Sequence, residues 1–190
     1  MIKTFSSRIK DSNCGQHLAK HAEAVNIVWN FCNETQHAAV RWDKRWPTGF
    51  DLNQLTTGSS RLLGLHSQTI QGICQEYALR RRQAQRRWRG QRSFGWIPFK
   101  ASGIKLDGDI VAYQRRQYRL WLSRAVEGTI KTGSFSQDAR RRWYVNLQCE
   151  GGNPRATDSQ EAIGVDLGLK TLATLSTGEK NRSETVLSRR

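Results

Sequence analysis

Apolar residues recur at helical spacing from Gln16 to about Arg41: Leu18, Ala22, Val25, Trp29 and Cys32, with Val28 and Ala39 extending the stripe. Steps of three and four residues place these side chains on one face, so the segment predicts an amphipathic helix buried along that face. Ser12 and Asn13 offer caps at its start. Trp46-Pro47-Thr48-Gly49 breaks the pattern, and a short helical piece fits Asp51–Leu55. A second long helix fits Ser67 to about Trp88, with Ile70, Ile73, Cys74, Tyr77, Ala84 and Trp88 as its stripe.

On either side of these helices the period changes to two. Residues 2–9 alternate loosely and predict a short strand. After Ser93, short alternating runs are split by turn signals. Ile104-Lys105-Leu106 and Ile110-Val111-Ala112-Tyr113 flank Asp107-Gly108, a hairpin signal. Tyr118, Leu120 and Leu122 alternate with Arg119, Trp121 and Ser123, and Trp143, Val145, Leu147 and Cys149 alternate with Tyr144, Asn146 and Gln148. Several such strands at close spacing predict a small β-barrel. Lys131, Arg140, Arg141 and Arg142 are expected in its turns. A polar linker opens at Gly151-Gly152-Asn153-Pro154 and runs to about Gln160. The run 162–175 then reads as strand, glycine turn and strand. The fold class is therefore α+β: a small barrel with a helical insertion, followed by a further hairpin.

Charge narrows the function. Lys and Arg number 31 against 16 Asp and Glu, a net charge of +15 in 190 residues. Such a surplus favours a polyanionic partner, because each neutralised phosphate releases counterions. Seven Trp, four Tyr and six Phe lie interleaved with the arginines. Aromatic faces stack on unpaired bases while Arg follows the backbone, a combination suited to RNA or single strands. The densest run is Arg80, Arg81, Arg82, Arg86, Arg87, Arg89 and Arg92. One or two cations suit a helix C-terminus; seven repel each other unless an anion lies among them. With Lys100, Lys131 and Arg141 they form the candidate nucleic-acid contacts.

The mean hydropathy of -0.69 and the lack of a long apolar run argue against a membrane protein. The start, Met1-Ile2-Lys3-Thr4-Phe5, has no secretory signal, so a cytoplasmic location is the default. Cys14, Cys32, Cys74 and Cys149 form no C-x-x-C pair and read as reduced core thiols. Cys14, His17 and His21 could share a helix face, but a zinc site there would need a fourth ligand or a water.

Asp166 is the candidate for chemistry. In Gly164-Val165-Asp166-Leu167-Gly168 a carboxylate ends an apolar strand beside a glycine turn. Burying it is costly unless it is paired or metal-bound. RNase H-like nucleases present their first Mg2+ ligand this way. Actin-like ATPases open with the same pattern, and a turn Asp is the plain alternative.

Gly164-Val165-Asp166-Leu167-Gly168-Leu169-Lys170 and the following Thr171–Gly178 resemble the first RuvC motif of TnpB-type (OrfB) insertion-sequence nucleases, relatives of type V CRISPR effectors. Trp96–Lys100, Gly103–Leu106 and Arg142–Leu147 are similar to the wedge barrel of that family, and the two long helices to its recognition lobe. The resemblance covers roughly residues 1–178. It implies a first wedge strand in 1–14, a helical recognition lobe in 15–92, the wedge barrel in 93–158 and the opening RuvC hairpin in 159–190. It further implies an RNA-guided DNA endonuclease with guide RNA and target DNA as partners. Base pairing would read the target, and Asp166 would be the first Mg2+ ligand. The second and third RuvC carboxylates and the zinc ribbon of the family are absent from this sequence, so a catalytic site would need a C-terminal nuclease half. The stretch 180–190 departs from the family's helical continuation and points to a frameshift, early stop or truncated gene copy.

Overall fold

The computed structural model describes residues 1–10, 14–42, 44–81, 88–90, 92–151, 165–166, 173–177 and 180–181. These divide between two compact units, Met1–Gly152 and Asn153–Arg190.

The first unit carries seven strands: β1 (Ile2–Ile9), β2 (Trp96–Lys100), β3 (Ile104–Asp107), β4 (Ile110–Tyr113), β5 (Arg116–Trp121), β6 (Thr129–Gln137) and β7 (Trp143–Glu150). They form one antiparallel sheet in the order β2-β6-β7-β1-β5-β4-β3. The first strand of the chain thus lies at the centre, with Phe5 opposite Leu147 and Ile9 opposite Leu120.

Connectivity forces this sheet to curl. Its outer strands, β2 and β3, are joined only by the single 3-10 turn Ala101–Gly103. Laid flat, seven strands would separate the outer pair by ~29 Å, six spacings of ~4.8 Å. The step from Lys100 to Ile104 spans at most ~14 Å. The edges therefore bend toward each other. The concave side fills with aromatic rings: Phe135 of β6 lies 5.2 Å from Phe99 of β2, 5.0 Å from Tyr113 of β4 and 5.6 Å from Tyr118 of β5, centroid to centroid. Gly133 is paired with Phe99 across the β2–β6 ladder, and the Phe99 ring folds over the space a side chain would take.

Among the described residues four helices lie between β1 and β2: α1 (Cys14–Arg41), α2 (Gly49–Leu55), α3 (Ser59–Leu63) and α4 (Ser67–Arg80). The stripe read from the sequence is buried on α1, where Leu18, Val25 and Cys32 have no solvent exposure. Trp29 meets Tyr77 of α4 edge-on at 5.2 Å and Trp96 of β2 at 6.3 Å, which joins helices to sheet. The Tyr77 hydroxyl lies 3.1 Å from Asn33 Oδ1 and 3.0 Å from Gln36 Oε1, so its single proton is placed between two buried amide oxygens of α1. Cys32 and Cys74 are buried free thiols, 3.8 Å apart across α1 and α4, and Cys149 is a third. A capping box starts α2: Thr48 Oγ1 accepts from the Asp51 amide, and Asp51 Oδ2 accepts from the Thr48 amide at 2.8 Å.

Two expectations change. Helix α4 stops at Arg80 instead of running to Trp88. Trp88 lies outside any helix and stacks flat on His37 of α1, ring centroids 6.2 Å apart, so the chain at Trp88–Arg89 lies against α1. Lys131 stands inside β6, where it pairs with Glu150 of β7 at 2.8 Å, and not in a turn. His17 and His21 dock α1 on the curled sheet. His17 Nδ1 lies 2.6 Å from the Tyr118 hydroxyl, His21 Nδ1 donates to the His17 carbonyl at 2.8 Å, and His21 Nε2 contacts the Gln114 amide. Among the described residues no group of three His, Cys, Asp or Glu could hold a metal ion. The caps at Ser12 and Asn13 lie outside the described residues.

In the second unit β8 (Val165–Asp166), β9 (Ala173–Leu175) and β10 (Lys180–Asn181) form a three-stranded antiparallel sheet in the order β10-β9-β8. Val165 pairs with Leu175 and Asp166 with Thr174. No helix among the described residues is long and apolar enough to cross a membrane.

Candidate nucleic-acid interface

The arginine run is tied down at both ends. At its start, Arg80 pairs with Glu76 one turn earlier on α4. Arg81 donates to the Pro47 carbonyl and lies over the Trp46 ring at 5.3 Å. Arg82, Arg86 and Arg87 lie outside the described residues.

At the far end, Arg89 is held from all sides. Its amide donates to Asn30 Oδ1 at 2.8 Å, and its carbonyl accepts from Asn30 Nδ2 at 2.7 Å. Its Nε donates to Asn26 Oδ1 at 2.9 Å, and a terminal nitrogen donates to the Phe94 carbonyl at 3.1 Å. The guanidinium lies over Trp29 at 5.4 Å and Trp96 at 5.6 Å. This cage is neutral, and burial lowers the Arg89 pKa from its ordinary value.

Arg141 approaches from the curled sheet, on the turn between β6 and β7. Asp138 builds that turn: its Oδ1 accepts from the amides of Arg142 at 2.8 Å and Arg140 at 2.9 Å, and its Oδ2 from the Tyr144 hydroxyl at 3.2 Å. The Arg142 amide above all, together with the other donors, holds the Asp138 carboxyl below the usual carboxylate range. Arg141 takes a left-handed backbone with φ 62°, and its guanidinium lies 5.9 Å from the centre of the exposed Phe94 ring.

Arg89 and Arg141 line one cleft of about 470 Å³ between α1, the Arg89–Gly95 loop and the β6–β7 turn. Of the seven basic candidates among the described residues, the structure brings these two together. Arg92 is exposed nearby in sequence; Lys100, exposed at the end of β2, and Lys131 do not line the cleft. The sequence reading missed Asn26 and Asn30, which grip Arg89, and Phe94 beneath Arg141. A pair of amides one turn apart on α1 was the available signal.

Asp166 is placed on β8, opposite Thr174 of β9. One carboxylate supplies only a fraction of the oxygen ligands Mg2+ requires. The described residues add no cluster to it and do not by themselves make a metal centre.

No protein-family profile matches the chain. A Streptomyces pristinaespiralis protein, assigned by name as an RNA-guided DNA endonuclease, is 45% identical to it over 49 residues. The match takes in 26% of this chain and 12% of that protein. About a quarter of the chain is thus similar to a short part of a protein named for RNA-guided DNA cleavage.

Proposed function

We propose that this chain is the nucleic-acid-gripping portion of a TnpB-type RNA-guided DNA endonuclease. The identity of 45% over 49 residues to a protein named as such an endonuclease carries the reading. The net charge of +15 and the arginines on the α1–barrel cleft support it. The helices and the curled sheet would hold guide RNA and the RNA–target DNA duplex through their backbones, while base pairing selects the target. Asp166 would be one Mg2+ ligand in a site completed by further carboxylates. The residues at hand do not form that site, and no cleavage step is derived through it.

The test is to purify the chain from cells carrying its native locus and to sequence the nucleic acid that remains bound at moderate salt. A discrete RNA from the transposon end supports the proposal. Bulk RNA stripped by modest salt, as counterion release dictates for non-specific contacts, defeats it. Asp166→Ala in a protein completed by a nuclease half should abolish DNA cleavage and leave RNA binding intact; equal cleavage removes Asp166 as a ligand.

A further inference from the structure

The Arg89 guanidinium is a half-buried cation whose partners are an amide oxygen, a carbonyl and two indole faces. No carboxylate lies within ion-pair distance of it among the described residues. Holding a desolvated charge in a neutral cage is unfavourable unless an anion completes it. The cage opens on the cleft shared with Arg141. Arg141 is fixed there by a left-handed turn and a contact from Nη1 to Gln137 Oε1 at 3.4 Å. Ser93 also lines the cleft. Its oxygen accepts from the Gly90 amide at 3.0 Å, which leaves its hydroxyl proton for a ligand. Glu23 lines the same space, has no ion pair among the described residues, and would repel a second negative group. A cleft of about 470 Å³ with two guanidinium groups, one hydroxyl and one opposing carboxylate matches one phosphodiester with its sugar and does not suit a polyphosphate.

We propose that this cleft seats a single phosphodiester of single-stranded RNA between Arg89 and Arg141, with the adjoining base on the exposed face of Phe94. The proposal rests on the reading of the chain as an RNA-binding protein and assigns that binding a place. An unpaired base suits Phe94, which is 51% exposed and already capped on one side by Arg141.

Arg89 variants would dismantle the loop along with the site, so the test uses Arg141→Gln and Ala19→Trp. The second narrows the cleft from the α1 wall without changing charge. Arg61→Gln, on exposed α3, is the charge-matched control. Affinity for a fluorescein-labelled single-stranded oligoribonucleotide is measured by anisotropy across a salt series, on variants whose melting matches the parent. Arg141→Gln should weaken binding about fivefold more than Arg61→Gln and make the logarithmic salt slope shallower by about 0.7. Ala19→Trp should weaken binding at least as much with the slope set by the remaining contacts. Inorganic phosphate at matched ionic strength should not displace the RNA. If both cleft variants bind like the parent, the cleft proposal fails while the RNA-binding reading stands. Displacement by inorganic phosphate would make this a free-anion site and overturn the proposal. An unmodified chain that binds no RNA would sink both.

Discussion

The Asn30 side chain bonds both backbone polar groups of Arg89, at 2.8 Å to the amide and 2.7 Å to the carbonyl. An amide side chain reading a peptide in this two-pronged way does what a neighbouring β-strand would do. It fixes a non-helical segment against the side of α1 and aims the Arg89 guanidinium between Trp29 and Trp96.

Asn30→Ala should therefore cost about 1–3 kcal/mol of stability, since two part-buried backbone groups lose their partners at once. Thermal or urea unfolding measures this. A variant as stable as the parent would mean that water replaces the amide without loss.

Two glycines should respond in opposite directions. A Cβ on Gly133 would collide with the Asn146 carbonyl and the Phe99 ring, so Gly133→Ala should destabilise by on the order of 1–3 kcal/mol. A Cβ on Gly72 of α4 would meet only Pro98, at 3.7 Å, an ordinary contact. Gly72→Ala should stabilise by roughly 0.5–1 kcal/mol through helix propensity. Paired melting curves of the two variants check both signs.

Burial above all, then the charges of His21, Arg116 and Lys20, lowers the His17 pKa from 6.5 to about 4. The unfolded chain takes up that proton first as pH falls. The stability from neutral His17 is thus complete above about pH 6.5, is lost between about pH 6.5 and pH 4, and changes no further below. Urea midpoints across that window should fall more steeply for the parent than for His17→Gln. Parallel pH profiles would show that His17 is not the group responsible.

Gln114 and Arg115 form the two-residue link between β4 and β5 with φ of 47° and 64°, a primed turn made without glycine. The left-handed conformation costs an L-residue about 1–2 kcal/mol. Arg115 is exposed, and Arg115→Gly should raise stability by ~0.5–1 kcal/mol net of the added chain entropy. An unchanged or lower melting temperature would place the strain elsewhere.

Much of the fold was legible because burial imposes its period on the sequence. Strand β7 alternates buried and partly or fully exposed positions along its whole length, and α1 buries the stripe its spacing marked. The hairpin signalled by Asp107-Gly108 joins β3 and β4, with its two-residue turn one place later, at Gly108-Asp109. What escaped depended on contacts between distant segments. The arginine run looked like a continuing helix because Arg and Ala are good helix formers. Tertiary bonds from Asn26 and Asn30 and the His37–Trp88 stack hold the chain out of that helix at Trp88–Gly90. The cleft was equally hidden, because Arg89 and Arg141 are 52 positions apart and only the fold places them on one wall. Charge density marked a binding chain but could not separate Arg89, enclosed by protein groups, from Arg92, which is exposed.

The central place of β1 has a kinetic consequence. Its longest partnership joins Ile2 to Glu150, so the first of this sheet's strands to be synthesised must wait for the last. At ~5–20 residues per second that wait is on the order of ten seconds. Until β5 is made the nascent segment carries Phe5 and Ile9 without a ladder, and Phe5 keeps none until β7 follows. The helices between are local and can form at once, whereas the sheet closes late, a high-contact-order event that makes this stage of synthesis the one most exposed to misassociation.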